Sequence, residues 1–159
     1  MDDLLDLCRD LPTRDLAAGE ELLAEGSRTG LIFVLADGVL AIESGGLLLK
    51  RVADRGACLG ELSALLGTTH SARVVALEPS RVHVMPAADL SANPAVLLGV
   101  ARLLAARLHG MTGYLFDLRR QYGDEATHLG LMAEVLSELT SVRPSGVGPG
   151  SERPDVPDY

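Results

Sequence analysis

Hydrophobic and polar positions change period along the chain. Asp and Leu alternate at near-helical spacing over residues 2–9, which predicts a short amphipathic helix that ends before Pro12. Residues 13–90 instead hold short apolar runs separated by glycines, and many such runs with turn signals between them predict a sandwich, barrel or roll of strands. The predicted strands are 22–24, 31–35, 39–42, 47–52, 72–77 and 82–85. Gly45-Gly46 predicts a hairpin turn between two of them, because glycine tolerates positive φ.

Two segments interrupt or follow the strands with helical patterns. Residues 61–66 have helical propensity between two predicted strands. Residues 94–122 carry apolar side chains at alternating spacings of four and three, a heptad pattern that begins where Pro94 can occupy the first helical position. The members of this seam are Leu97, Ala101, Leu104, Leu108, Met111, Leu115 and Leu118. A helix lying on its own strands would also show an apolar stripe, but the regularity favours a homodimer through helix 94–122.

The C-terminal part of the chain changes pattern twice more. Gly123-Asp124 reads as a stop followed by a new helix start, and a second amphipathic helix is predicted over 125–140. From Arg143 onward Pro, Gly, Ser and charged residues dominate, which is typical of a disordered tail. We therefore divide the chain into residues 1–122, an additional amphipathic helix within 123–141, and a tail over 142–159.

Composition and charge exclude several classes of function. The net charge is -8, and residues 1–25 hold eight acids against two arginines, so we expect no general attraction to nucleic acid. Residues 94–122 are locally basic, with four arginines against Asp117. Cys8 and Cys58 form no recognisable motif, which favours a reduced, cytoplasmic protein. The apolar stretch 95–108 is too short to span a bilayer and contains two arginines, so no membrane segment is expected.

Enzymatic chemistry finds little support in the residue pattern. A metal-dependent β-roll needs clustered histidine and carboxylate ligands, whereas the β-rich region holds only His70 and His83, and neither lies in an HxH pattern. Neither cysteine has a histidine neighbour in sequence that indicates a nucleophile pair. We expect a protein that is not an enzyme and holds no metal.

The segment from Arg55 to Ala76 carries the candidate chemistry. It reads as a strand, a glycine, one or two helical turns, a small polar loop and another strand. Gly60 at the start of the helix lets a ligand approach the backbone, and the free amides of a first helical turn favour an anion. The Glu61 carboxylate can accept hydrogen bonds from a sugar hydroxyl, or it can simply cap the helix. Thr68, Thr69 and Ser71 can add hydroxyl donors.

This segment resembles the phosphate-binding cassette of cyclic nucleotide-binding domains, the β-roll family of the catabolite activator type. Residues 18–26 are similar to the opening turn of that family, and residues 31–40 to its central strand pair with the turn glycine Gly38. The similarity extends from about residue 13 to residue 120. It implies a mainly β fold with C-terminal helices, an antiparallel β-roll (double-stranded β-helix or jelly roll) flanked by α-helices over residues 1–122.

The resemblance also implies the positions of the ligand-binding residues. The backbones of Gly60 and Leu62 correspond to donors near the cyclic phosphate and ribose, and Glu61 corresponds to the acceptor for the ribose 2′-hydroxyl. The implied set is Gly60, Glu61, Leu62, Ser63, Thr69, His70, Ser71 and Ala72. The implied ligand is a cyclic nucleotide, with cAMP favoured over cGMP.

His70 is the main departure from the pattern of the family, because it stands where the family has the arginine that pairs with the cyclic phosphate. Arginine offers a planar and permanently charged fork, whereas histidine offers one or two donors and is mostly neutral at pH 7. Arg73 is a poor substitute, because three residues along a strand place it on the opposite face from His70.

Two hypotheses follow. In the first, the chain is a stand-alone regulatory sensor in which ligand at residues 60–72 repositions helix 94–122, and helix 125–140 presents the change to a partner protein. In the second, the cassette is degenerate, and the fold serves as a dimerisation or protein-interaction scaffold. About 37 residues follow Tyr122, too few for the usual helix-turn-helix domain, so we expect no direct sequence-specific DNA binding.

Overall fold

The β-rich region forms two four-stranded antiparallel sheets in the computed structural model, which describes residues 4–122 of the chain. The helices are α1 (Leu4–Leu7), α2 (Glu61–Leu66) and α3 (Pro94–Tyr122), and a 3-10 turn spans Ala87–Asp89. The strands are β1 (Thr13–Leu16), β2 (Glu21–Leu23), β3 (Leu31–Asp37), β4 (Leu40–Ser44), β5 (Leu47–Val52), β6 (Cys58–Leu59), β7 (Arg73–Ala76) and β8 (Ser80–Pro86). Their order is β1-β8-β3-β6 in one sheet and β2-β7-β4-β5 in the other. The predicted mainly β, antiparallel roll with flanking helices is confirmed.

Sequence periodicity found most of these elements but missed two short strands. Only Leu16 of β1 is buried, because this edge strand is otherwise polar and exposed, so it shows no apolar run. Strand β6 has two residues, Cys58 and Leu59, and a period of two cannot be read from so short a segment. Helix α1 ends at Leu7, before the predicted end at residue 9, while residues 2 and 3 of the predicted helix lie outside the described residues.

The predicted hairpin joins β4 to β5, and both of its glycines have positive φ. Glu25 fixes this turn from a neighbouring loop. Its carboxylate accepts hydrogen bonds from the Ser44 hydroxyl at 2.8 Å and from the Gly45 amide at 3.1 Å. The turn is therefore tied to the loop that precedes β3.

The inner faces of the two sheets form the main core. Phe33 and Leu35 of β3 pack there with Leu40 of β4 and Val82 of β8, and all four are almost completely buried. Because the core contains a single phenylalanine, aliphatic side chains fill most of it, as the low aromatic content of the sequence requires.

A second apolar cluster covers the other face of β3. Ile32 and Val34, which alternate with the residues of the main core, pack there with Val96 and Val100 from the start of α3. Both faces of β3 are thus buried, which explains its unbroken apolar run. Cys8 and Cys58 are buried in the same cluster, and burial raises the pKa of Cys8.

The chain divides into two compact units, residues 1–104 and residues 105–159. The first contains both sheets, α1, α2 and the beginning of α3, while the described part of the second is the helical segment 105–122. The predicted helix over 125–140 and the predicted tail over 142–159 lie outside the described residues.

Helix α3 extends beyond the apolar stretch 95–108 at both ends. By length and composition alone, its segment Pro94–Gln121 could cross a membrane, and it is the one such helix among the described residues. Helices of soluble proteins pass the same test.

Candidate functional site

Helix α2 begins at Gly60, which adopts a left-handed conformation with φ of +81°. A Cβ at this position would lie 2.8 Å from the carbonyl oxygen of Leu31, closer than real Cβ atoms approach backbone. It would also lie 3.7 Å from the His70 ring and from the side chain of Leu23. Glycine is therefore required here both for the backbone angle and for the close approach of β3.

The side chain of His70 is buried, with 4% of its surface exposed, and both ring nitrogens have hydrogen-bond partners. Nδ1 lies 2.7 Å from the Ser63 hydroxyl on α2. Nε2 lies 3.0 Å from the Thr29 hydroxyl on the loop before β3. The ring thus connects the helix to that loop from the inside.

The surrounding contacts determine which nitrogen carries the proton. The Ser63 hydroxyl also lies 3.0 Å from the Gly60 carbonyl oxygen, to which it can only donate. Ser63 then accepts from Nδ1–H of His70, and Nε2 accepts from Thr29. This neutral tautomer satisfies every contact, and burial lowers the pKa of His70, which also favours the neutral ring.

Backbone hydrogen bonds hold the same residue in place. The His70 amide donates to the Ser27 carbonyl at 2.8 Å, and the His70 carbonyl accepts from the Gly26 amide, also at 2.8 Å. The end of the cassette is therefore paired with the loop between β2 and β3 at both its side chain and its backbone.

The remaining predicted site residues fall into a buried and an exposed group. Glu61 is buried, with 3% of its surface exposed, and it takes part in an interaction within the protein. The side chain of Leu62 is 51% exposed, and Thr69 and Ser71 are exposed on the loop after α2. Ala72 is half-buried. The structure thus brings Gly60, Ser63 and His70 into one network and leaves the hydroxyls of the loop open to solvent.

Arg73 is committed to carboxylates of its own sheet. Its guanidinium contacts Glu21 on β2 and Glu43 on β4, the latter at 2.9 Å, and these hydrogen bonds raise its pKa. The strand register pairs Arg73 with Glu43 across from each other, on the face opposite to Val74 of the core. Arg73 therefore stabilises the pairing of three strands rather than extending toward the cassette.

Sequence reasoning missed Thr29 as a partner of the cassette. It lies 41 residues from His70 along the chain, in a glycine-flanked loop without an apolar pattern. The only available signal was that the family resemblance begins before this loop and continues after it. Residues 4–122 bring no three His, Cys, Asp or Glu side chains together in a way that could hold a metal.

Comparisons with known proteins agree with this architecture. The sequence profile of the cyclic nucleotide-binding domain matches residues 13–92. No sequence among the curated proteins matches the chain.

Solved structures share the fold at low sequence identity. The catabolite activator protein of Thermus thermophilus has 22% identity and a TM-score of 0.59, with 87% of this chain and 81% of that chain covered. A protein from a cyclic-GMP-dependent signalling pathway of bacterial phytopathogenesis has 24% identity and a TM-score of 0.59, with 69% and 94% covered. The regulatory subunit of a cAMP-independent protein kinase A from Trypanosoma brucei has 15% identity and a TM-score of 0.55, with 67% and 40% covered.

Proposed function

Because the chain belongs to the cyclic nucleotide-binding domain family, we propose that it is a non-enzymatic regulatory sensor that binds a cyclic nucleotide at residues 60–72. The observation that carries the proposal is the glycine-started helix α2. Gly60 allows the left-handed backbone and the close approach of β3 at the point where α2 begins, and Glu61 follows it directly. The exposed hydroxyls of Thr69 and Ser71 stand on the loop that returns from this helix.

Recognition of the phosphate differs from recognition by arginine. In the neutral ring, Nε2 of His70 is an acceptor, so it cannot donate a hydrogen bond to an anionic phosphate oxygen. Backbone amides and the hydroxyls of Thr69 and Ser71 therefore provide the donors. Neutral donors form weaker hydrogen bonds to an anion than a charged bidentate fork does, so we expect modest affinity. The family resemblance favours cAMP, but a structural neighbour belongs to a cyclic-GMP-dependent pathway, and both nucleotides need to be tested.

Isothermal titration calorimetry with cAMP and cGMP on the full chain tests this proposal. We expect saturable binding of at least one nucleotide below millimolar concentration. Ser71→Ala should weaken that binding several-fold, while Ser91→Ala, which removes an exposed hydroxyl outside residues 60–72, should leave it unchanged. We also expect the affinity to stay flat between pH 6.5 and 8 (about the range in which an ordinary histidine loses its proton), because His70 remains neutral. Affinity that strengthens as the pH falls would contradict this account, because it would show that a protonated His70 meets the phosphate.

A second candidate function is a scaffold that no longer binds nucleotide. The observation that favours it is that His70 is buried with both ring nitrogens bonded inside the protein, so the cassette is satisfied without a ligand. The Trypanosoma brucei neighbour is the regulatory subunit of a cAMP-independent protein kinase A, so the fold also occurs in a kinase that does not depend on cAMP. Absence of heat and of a thermal shift with either nucleotide at millimolar concentration would select this candidate.

The proposal extends to partners. At the start of α3, Val96 and Val100 pack on the strands. Leu97 and Ala101 of the predicted seam are exposed, so a second apolar face of the helix remains uncovered. We propose that this seam forms a homodimer, and a strictly monomeric mass by light scattering would exclude it. We further propose that ligand binding is coupled to helix 94–122, that residues 125–140 contact a partner protein, and that the protein is cytoplasmic and does not bind DNA directly.

A further inference from the structure

The register of the second sheet places a lysine on the inner face of the roll. Leu23 pairs with Val74, Val74 pairs with Ile42, and Ile42 pairs with Lys50. Directly paired residues of antiparallel strands point to the same face. Because Leu23 and Val74 belong to the main core and Ile42 packs against it, Lys50 lies on the face that lines the inside.

This row of residues leads from the cassette to the edge of the sheet. Its first member, Leu23, lies 3.7 Å from the position of a Cβ on Gly60, at the start of α2. Its second member, Val74, begins the inner face of β7 just after the cassette. Adjacent strands are about 4.8 Å apart, so Lys50 lies roughly 10 Å from Val74 across two strands. A lysine side chain is long and flexible enough to reach back over Ile42 toward a ligand held there.

Lys50 and Arg14 are both basic residues on an inner face of the two sheets, and they differ in whether the charge has a partner. Arg14, which pairs with Val82 and so faces inward on the other sheet, is bound to Glu20 at 2.9 Å. Lys50 is exposed and makes no hydrogen bond or ion pair within the described part of the chain. It is also the only lysine in the sequence.

We propose that Lys50 supplies the positive charge that holds the anionic group of the ligand, a charge that His70 does not provide. This inference rests on the proposed function, because it assumes a cyclic nucleotide between α2 and the inner face of β4 and β5. A cation strengthens the binding of a negatively charged ligand beyond what neutral donors provide, and Lys50 is an uncommitted cation on the surface that the ligand would face. The site is thus built differently from one in which the cation stands at position 70.

The neighbouring residue gives a matched control. Arg51 pairs with Ala41 and therefore points to the opposite face of the same strand. Both Lys50 and Arg51 are exposed, so Lys50→Ala and Arg51→Ala remove the same charge from the same place in the sequence at little cost to folding. They differ in the face from which the charge is removed.

The experiment is calorimetric titration of cAMP and cGMP into the full-length wild type, K50A, K50R and R51A at low and high salt. We expect K50A to bind at least about tenfold more weakly, R51A to stay within about twofold of wild type, and K50R to retain most of the affinity. Raising the salt concentration should weaken binding to wild type and R51A more than to K50A.

The outcomes separate this inference from the proposed function. Equal losses in K50A and R51A would reduce the effect to general electrostatics and overturn the inference, as would a K50A variant that binds like wild type. In both cases the proposed function would stand. A wild-type chain that binds neither nucleotide at millimolar concentration would overturn the proposed function and this inference together.

Discussion

Ser63→Ala tests whether the internal network, rather than a ligand, holds the cassette together. Ser63 is 9% exposed. Its hydroxyl lies between two groups, Nδ1 of His70 at 2.7 Å and the Gly60 carbonyl oxygen at 3.0 Å. Alanine removes the acceptor for Nδ1–H and the donor to the carbonyl at once. The variant adds no steric conflict, so the loss reports hydrogen bonding.

The magnitude follows from burial. A buried donor left without a partner costs about 1–3 kcal/mol, and a lost neutral hydrogen bond costs about 1 kcal/mol. We therefore expect Ser63→Ala to lower the free energy of unfolding by about 2–3 kcal/mol. Thr29→Ala removes the partner of the other ring nitrogen, but Thr29 is exposed, so water can replace its hydroxyl. Its cost should stay below about 1 kcal/mol.

Urea denaturation at pH 7.5, followed by circular dichroism, measures both variants against wild type. For a unit of this size, about 2–3 kcal/mol corresponds to a lower melting temperature by roughly 8–12 °C. The reasoning fails if Ser63→Ala and Thr29→Ala cost the same within about 0.5 kcal/mol. A loss below about 1 kcal/mol for Ser63→Ala would likewise mean that the ring of His70 finds its partners elsewhere.

Two further predictions concern the same region. An alanine in the left-handed conformation lowers the free energy of unfolding by roughly 1–2 kcal/mol. Gly60→Ala should lower it by well over that amount, because the new Cβ would lie 2.8 Å from the Leu31 carbonyl oxygen. Gly67 has a φ of +66° and open space around it, so Gly67→Ala should cost only that amount. Denaturation midpoints compare the two, and equal losses would argue against the close approach at Gly60. Burial lowers the pKa of His70 below its usual 6.5, so its contribution to stability is complete above pH 6.5 and declines as the pH falls through the lower folded-state value. His70→Asn should show a shallower loss of stability between pH 7.5 and 5.5 than wild type, and parallel curves would contradict the assignment of a neutral buried ring.

The elements that the sequence predicted best are those whose residues allow only one local backbone conformation. The residue pair Gly45-Gly46 between two apolar runs required a turn with positive φ, and the hairpin has it. Helix α2 is bounded by two left-handed glycines, Gly60 and Gly67, and its predicted limits are the observed ones. By contrast, β1 and β6 owe their existence to pairing with β8 and β3, which is a property of the assembled sheet.

The candidate site shows a similar division. The residue type at position 70 established from sequence that the expected charge is absent. Sequence could not show that the ring turns inward, because Ser63 and Thr29 reach it from two different elements, and the latter is 41 residues away. The sequence also does not predict which face of the sheet Lys50 occupies, because residues 47–49 are all apolar and show no alternation. Only the register of β5 with β4 assigns it.

The exchange of a charged side chain for a neutral one changes what the ligand-free state requires. A cation in a partly buried cassette without its anion carries an unmet desolvation cost, so ligand binding would relieve that cost and strongly favour one conformation. In this chain the ring of His70 is neutral and its two nitrogens are bonded to Ser63 and Thr29, so position 70 carries no such cost. A ligand can shift an equilibrium only by its differential affinity for the two states. If Lys50 supplies the charge from an exposed strand, its cost without ligand is also small, because water solvates it. The free energy that drives a ligand-dependent conformational change must then come mainly from the contacts that the ligand itself makes.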